Sequence, residues 1–214
     1  FATYFTLLFR EHAYGRDDFV AGLREARERV WAWYDENPDY RIIHDDLDDM
    51  SRVTSVATYQ KGAWVLHMLR RRIGDEAFWR GIRDYYARYV NATASTDDFM
   101  RVMERASGDD LRDFFDQWLR QGGNPRLEGM WEYDPAAREV HVLLGQVQRI
   151  GSFTLPVDIG IYLEGDDMPA VVETADVTGE VQRFVIPVAG RPTDVRLDPY
   201  TWALFRADFG RPGR

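Results

Sequence analysis

Apolar residues recur every three to four positions through the first half of the chain and at alternate positions through the second. "FATYFTLLFREHAY" is an apolar segment stopped by Gly15. "RDDFVAGLREARERVWAWYDENP" carries Phe19, Val20, Leu23, Val30 and Trp33 at helical spacing, with Asp17 or Asp18 as its cap and Pro38 limiting its end. "DYRIIHDDLDDMSRV" loses the period and reads as a long loop. A helix is predicted from about Val56 to Arg72, with Gly62, Val65, Leu66, Leu69 and Ile73 on one stripe. Gly74 stops it and Asp75 caps the next, "DEAFWRGIRDYYARYV". "STDDFMRVMERASG" opens with a capping box, Ser95 to Asp98. "DDLRDFFDQWLRQGG" ends on two glycines, the usual close of a helix.

The period falls from 3.6 to 2 across "QGGNPRLEG". "MWEYD" and "REVHVLLGQVQ" flank "PAA" as a hairpin, and "FTLPVDIGIYLEG", "PAVVETAD", "EVQRFVIPV" and "TDVRLD" follow between Gly, Asp and Pro turns. Six or seven short strands of this kind imply a sandwich. Pro156 and Pro187 mark edges or bulges, because proline cannot donate to a ladder. The expected fold class is therefore segregated α+β, with helices over residues 1–124 and an antiparallel β-sandwich over 125–214.

Composition narrows the function classes. The chain is 45% hydrophobic and 14% aromatic, which supplies a core and excludes disorder. A net charge of −9, with "LRRRIG" as the densest basic run, argues against a nucleic-acid partner. With no cysteine there is no disulfide and no thiolate nucleophile. No apolar run is long enough for a membrane span.

Candidate chemistry is sparse. His12, His44, His67 and His141 include no i, i+4 pair, and no H-E-x-x-H occurs, so they read as four separate histidines. "HDDLDDM" could hold a hard cation but lacks the glycine and glutamate of an EF-hand loop, and is taken as a solvated acidic loop. The serines sit in caps and loops, with no G-x-S-x-G turn. One stretch stands apart: "TYQKG", where Lys61 is the single lysine among 27 basic residues. A tyrosine at a helix start is most often packing, yet a phenol on a rigid ring there is well suited to meet developing oxyanion charge.

"TYQKGAWVLHMLRRRIGDEAFWRGIRDYYARYVNATASTDDFMRVMERASGDDLRDFFDQWLRQGGNP" resembles the helical segment of the aminopeptidase N family of zinc peptidases, the gluzincins. The likeness is an ordered string: Tyr-x-Lys-Gly, Met-Leu-Arg, Ile-Gly-Asp-x-x-Phe, Thr-x-x-Asp-Phe, Gly-x-x-Leu-x-x-Phe-Phe-x-x-Trp and a closing Gly-x-Pro. It implies that residues 1–124 are the helical later part of a metallopeptidase catalytic domain. It also implies that Tyr59 is the catalytic tyrosine that donates to the oxyanion of the tetrahedral intermediate. Lys61 and Gly62 would be supporting or structural residues, Gly62 allowing a close backbone approach. In that family the glutamate zinc ligand precedes "FATYF", and the H-E-x-x-H lies further upstream, so no metal ligand and no cofactor is expected in this chain. Zinc, peptide substrates and the upstream half would belong to the parent protein, and the chain alone would be inactive, with apolar surface bare on "FATYFTLLF" and around Tyr59. A non-catalytic scaffold of the same fold is the alternative. A separate binding module built on Trp131, Tyr133, Tyr162 and Trp202 is a third reading, set against their alternation within strands, which places them mostly in the core.

Overall fold

The structure is a computed structural model and describes residues 1–44, 53–179 and 181–212. It divides into two compact units, Phe1–Gly122 and Gly123–Arg214.

The first unit is helical. Helix α1 (Ala2–Tyr14) is followed by α2 (Arg16–Glu36). A π-helical turn, Ala57–Lys61, runs directly into α3 (Gly62–Ile73), and α4 (Asp75–Tyr89) and α5 (Thr96–Ser107) follow. The short α6 (Arg112–Phe115) continues into a second π-helical turn, Asp116–Arg120. The breaks between α1 and α2 and between α3 and α4 fall on Gly15 (φ 94°) and Gly74 (φ 80°), backbone angles that side-chain-bearing residues avoid. These glycines take the N-cap positions, and Asp17, Asp18 and Asp75 sit inside the first helical turns instead. There the carboxylates complement the helix dipole without capping. Ser95 and Asp98 do form the reciprocal capping box at the start of α5.

The expected stripe on α3 is wider than its sequence pattern. Every residue from Ala63 to Leu69 is buried, so the helix is enclosed on all sides, as an apolar all-round helix should be. Its polar member, His67, lies in an aromatic box with ring centroids of Phe19, Trp64 and Tyr4 at 5.4, 5.6 and 5.8 Å. At the N-cap of α1 and along it, Phe1, Phe5 and Phe9 recur at helical spacing and are exposed. "HDDLDDM" lies outside the described residues apart from His44, which is half-buried.

The second unit holds seven strands: β1 (Arg126–Asp134), β2 (Glu139–Gln146), β3 (Leu155–Tyr162), β4 (Val171–Val177), β5 (Gln182–Pro187), β6 (Asp194–Leu197) and β7 (Arg206–Gly210). They form one sheet of order β5-β2-β1-β7 and another of order β4-β3-β6. The β1–β2 hairpin pairs Leu127 with Gln146 through to Asp134 with Glu139. The Asp134 carboxylate closes its turn by accepting from the N–H groups of Ala136 and Ala137. Four pairings are antiparallel, but β7 runs parallel to β1, with Arg126 opposite Arg206. "RADFG" carries too little alternation to announce that last strand. The prolines, expected at edges or bulges, divide. Pro187 is on β5, an edge strand. Pro156 is on the central β3, at a point where β4 flanks it and β6 has not yet joined. Trp131 and Tyr162 are buried, each beneath a guanidinium, Arg211 at 4.3 Å and Arg196 at 4.4 Å. Tyr133 and Trp202 are half-buried. The four form no exposed flat platform, which removes the structural basis of a separate aromatic binding module.

Candidate active site

Tyr59 lies in the middle of the π-helical turn Ala57–Lys61. The turn is defined by its hydrogen bonds: the Gly62 N–H reaches back to the Ala57 carbonyl, one residue further than in an α-helix. Such a turn holds one extra residue and is poorly stabilised by itself, so neighbouring groups must hold it.

Two polar clusters flank it. Before the turn, the Ser55 hydroxyl donates to the Tyr40 hydroxyl (2.9 Å) and accepts from the Thr58 N–H (3.3 Å). The Thr58 hydroxyl donates to the Val53 carbonyl (2.9 Å). After Tyr59, Lys61 turns inward, and its Nζ donates to the hydroxyl of Tyr34 on α2 at 3.3 Å. The same nitrogen sits 4.8 Å from the Tyr34 ring centroid. Tyr34 in turn packs edge-on against Tyr40, centroids 6.4 Å apart, which links the two clusters. Burial pushes the Lys61 ammonium down from its ordinary 10.5 to about 7. Burial likewise pushes the Tyr34 phenol up, with a smaller contribution from Tyr40.

Tyr59 is 51% exposed, while Ala57 and Lys61, two residues to either side of it, are fully buried. A rigidly placed phenol with an accessible O–H can donate one hydrogen bond to negative charge that develops beside it. Gly62 has ordinary helical angles, φ −59° and ψ −36°, and a Cβ added there would meet nothing within 4 Å. The expected close backbone approach at Gly62 is therefore absent among the described residues, and its lack of a side chain leaves open space one turn from Tyr59.

The four histidines occupy separate settings: His12 exposed, His44 and His141 half-buried, His67 enclosed in the core. Among the described residues no three His, Asp or Glu side chains come together in a way that could hold a metal ion. No helix among them is long and apolar enough to cross a membrane.

Residues 1–118 match the peptidase family M1 domain, more than half of the chain. The chain belongs to peptidase family M1. The relatives agree with this M1 assignment. Aminopeptidase N of Escherichia coli K12 is 31% identical over 113 residues, covering 52% of this chain and 13% of that protein. Aminopeptidase N of Lactococcus lactis is 39% identical over 71 residues, covering 33% of this chain and 8% of that protein. Glutamyl aminopeptidase of Bitis rhinoceros is 37% identical over 81 residues, covering 38% and 8%. The M1 chain thus spans a small part of the length of the relatives it matches. Its fold resembles that of Legionella pneumophila aminopeptidase A, solved in complex with aspartic acid, at a TM-score of 0.71 and 20% identity, over 96% of this chain and 23% of that one.

M1 peptidases are in general zinc-dependent. The described residues of this M1 chain offer zinc no donor set, so they do not fit the metal. What the chain has in place is a phenol and the groups that support it. Sequence reasoning pointed to Tyr59, Lys61 and Gly62 but missed Tyr34, Tyr40 and Ser55. Tyr34 and Tyr40 sit in "WYDENPDYR", where ordinary packing explains an aromatic equally well and no residue signal separates the two.

Proposed function

We propose that this chain is part of a zinc-dependent aminopeptidase that removes N-terminal residues from peptides, and that Tyr59 donates its phenolic hydrogen to the oxyanion of the tetrahedral intermediate. The observation that carries this reading is the exposed phenol on an internally anchored π-helical turn. The membership of the M1 family supports the reaction class. Zinc, held by the whole protein, would supply the electrophile and the activated water; Tyr59 adds a hydrogen-bond donor beside the developing charge. Losing one such donor costs about 2.7–4 kcal/mol in comparable sites.

By the same reading the 214-residue chain alone holds no catalytic zinc and turns over no aminoacyl substrate. A catalytic zinc requires three protein ligands and an open position, and the sequence contains no H-E-x-x-H. Dialysis of the chain against zinc, followed by elemental analysis, should find no tightly held equivalent, and an amino-acid anilide should remain intact.

The oxyanion role is tested by calorimetry on the whole protein. Tyr59→Phe should weaken binding of a tetrahedral phosphorus dipeptide analogue about 10²-fold while leaving the affinity for a ground-state product amino acid within a factor of two. Equal loss for both ligands would place Tyr59 in general binding instead.

A further inference from the structure

Lys61 is two residues from Tyr59, yet the two side chains meet opposite environments, one fully enclosed and the other half-exposed. Enclosing an amine is costly, and an aliphatic side chain of the same length would fill the space more cheaply. What an aliphatic chain lacks is direction. The Lys61 amine makes a hydrogen bond of 3.3 Å to the Tyr34 hydroxyl, and Tyr34 belongs to a separate helix, α2. That bond fixes Lys61 in both rotation and depth relative to α2.

Fixing it matters because of where it sits. Lys61 is the last residue of the π-helical turn and the N-cap of α3. A π turn can relax toward α spacing by losing its extra residue. Each residue of an α-helix is rotated by about 100° from the last, so a one-residue slip would carry Tyr59 to another face. Ser55, Thr58 and Tyr40 hold the turn at its entrance, and Lys61 on Tyr34 holds it at its exit.

We propose that the Lys61–Tyr34 contact locks the π-helical turn in register and so makes Lys61 a positioning residue for Tyr59. The proposal rests on the reading that Tyr59 is the oxyanion donor. In it Lys61 touches neither substrate nor metal; it acts only through the backbone of residues 57–62. Burial that brings the amine to about 7 fits such a role, since a neutral amine retains the N–H that Tyr34 accepts at reduced desolvation cost.

The test is a double-mutant cycle in the whole protein. Lys61→Met keeps the bulk and removes the hydrogen bond; Tyr34→Phe removes only the hydroxyl and covers the case in which Lys61→Met fails to fold. Either change should lower kcat about 10-fold to 10²-fold with KM within twofold, the scale of a misplaced reacting group. The loss should vanish in a Tyr59→Phe background, because Lys61 has nothing left to place. A loss of equal size in both backgrounds would overturn the proposal, as would an unchanged kcat in both single variants where Tyr59→Phe itself is impaired. Hydrogen exchange of the amides at 57–62, read by mass spectrometry on the same proteins, separates the two readings. If Tyr59→Phe is fully active, the oxyanion reading fails, and exchange decides the lock: faster exchange in Lys61→Met and Tyr34→Phe supports it, and unchanged exchange overturns it.

Discussion

The hydroxyl of Tyr4 lies 3.2 Å from Nδ1 of His67, with both side chains fully buried. The contact ties α1 to α3, the helix that continues from the Tyr59 turn. Further along α3, Arg70 is paired at 2.7 Å with Asp75 at the start of α4. Burial pushes the Tyr4 phenol up to about 12, so it remains a neutral donor or acceptor at any physiological pH. Tyr4→Phe should therefore destabilise the chain by about 1–3 kcal/mol, the cost of removing one side of a buried hydrogen bond. Urea unfolding measures this, with the slope expected to stay constant; a change under about 0.5 kcal/mol would mean that the contact with His67 contributes little.

Gly62 gives a prediction of opposite sign. It sits in helical geometry with open space where a Cβ would go. Gly62→Ala should stabilise the chain by about 0.5–1 kcal/mol, because glycine loses more backbone freedom on folding than alanine. The melting temperature should rise by roughly 1–4 °C. A fall would show that something does approach this position.

Lys61 should leave a signature in the pH dependence of stability. Its folded pKa is lowered, from 10.5 to about 7. Below about pH 7 both states carry the proton and the burial penalty is fully present. Between about 7 and 10.5 the unfolded chain binds a proton that the folded chain does not, so stability rises with pH across that window. Tyr4 and Tyr34, whose pKa values are raised, act the other way only above about pH 10. Urea midpoints between pH 6.5 and 9.5 should climb in the native chain and climb less in Lys61→Met. Identical slopes would show that Lys61 keeps its ordinary pKa when folded.

Much of the fold could be read from the residues. The change of period across "QGGNPRLEG" separates the second π-helical turn, ending at Arg120, from β1, starting at Arg126. The Ser95–Asp98 box and the edge position of Pro187 follow from local chemistry alone. The π-helical turns were not legible, since one inserted residue shifts a helical period by less than the scatter of apolar positions. Nor was the parallel return of β7, because alternation identifies a strand without naming its partner. At the candidate site, a tyrosine and a lysine two apart carry no chemistry by themselves. The role expected of Tyr59 came from the resemblance of the string around it, and the anchor on Tyr34 depends on a helix more than twenty residues away.

The central claim is that Tyr59 acts on the transition state. Steady-state kinetics of Tyr59→Phe in the whole zinc-bound protein, with an amino-acid anilide as substrate, tests it most directly. The expected result is a kcat lowered by about 10²-fold or more with KM little changed, the mark of an interaction made only in the transition state. A kcat near that of the native protein would contradict it.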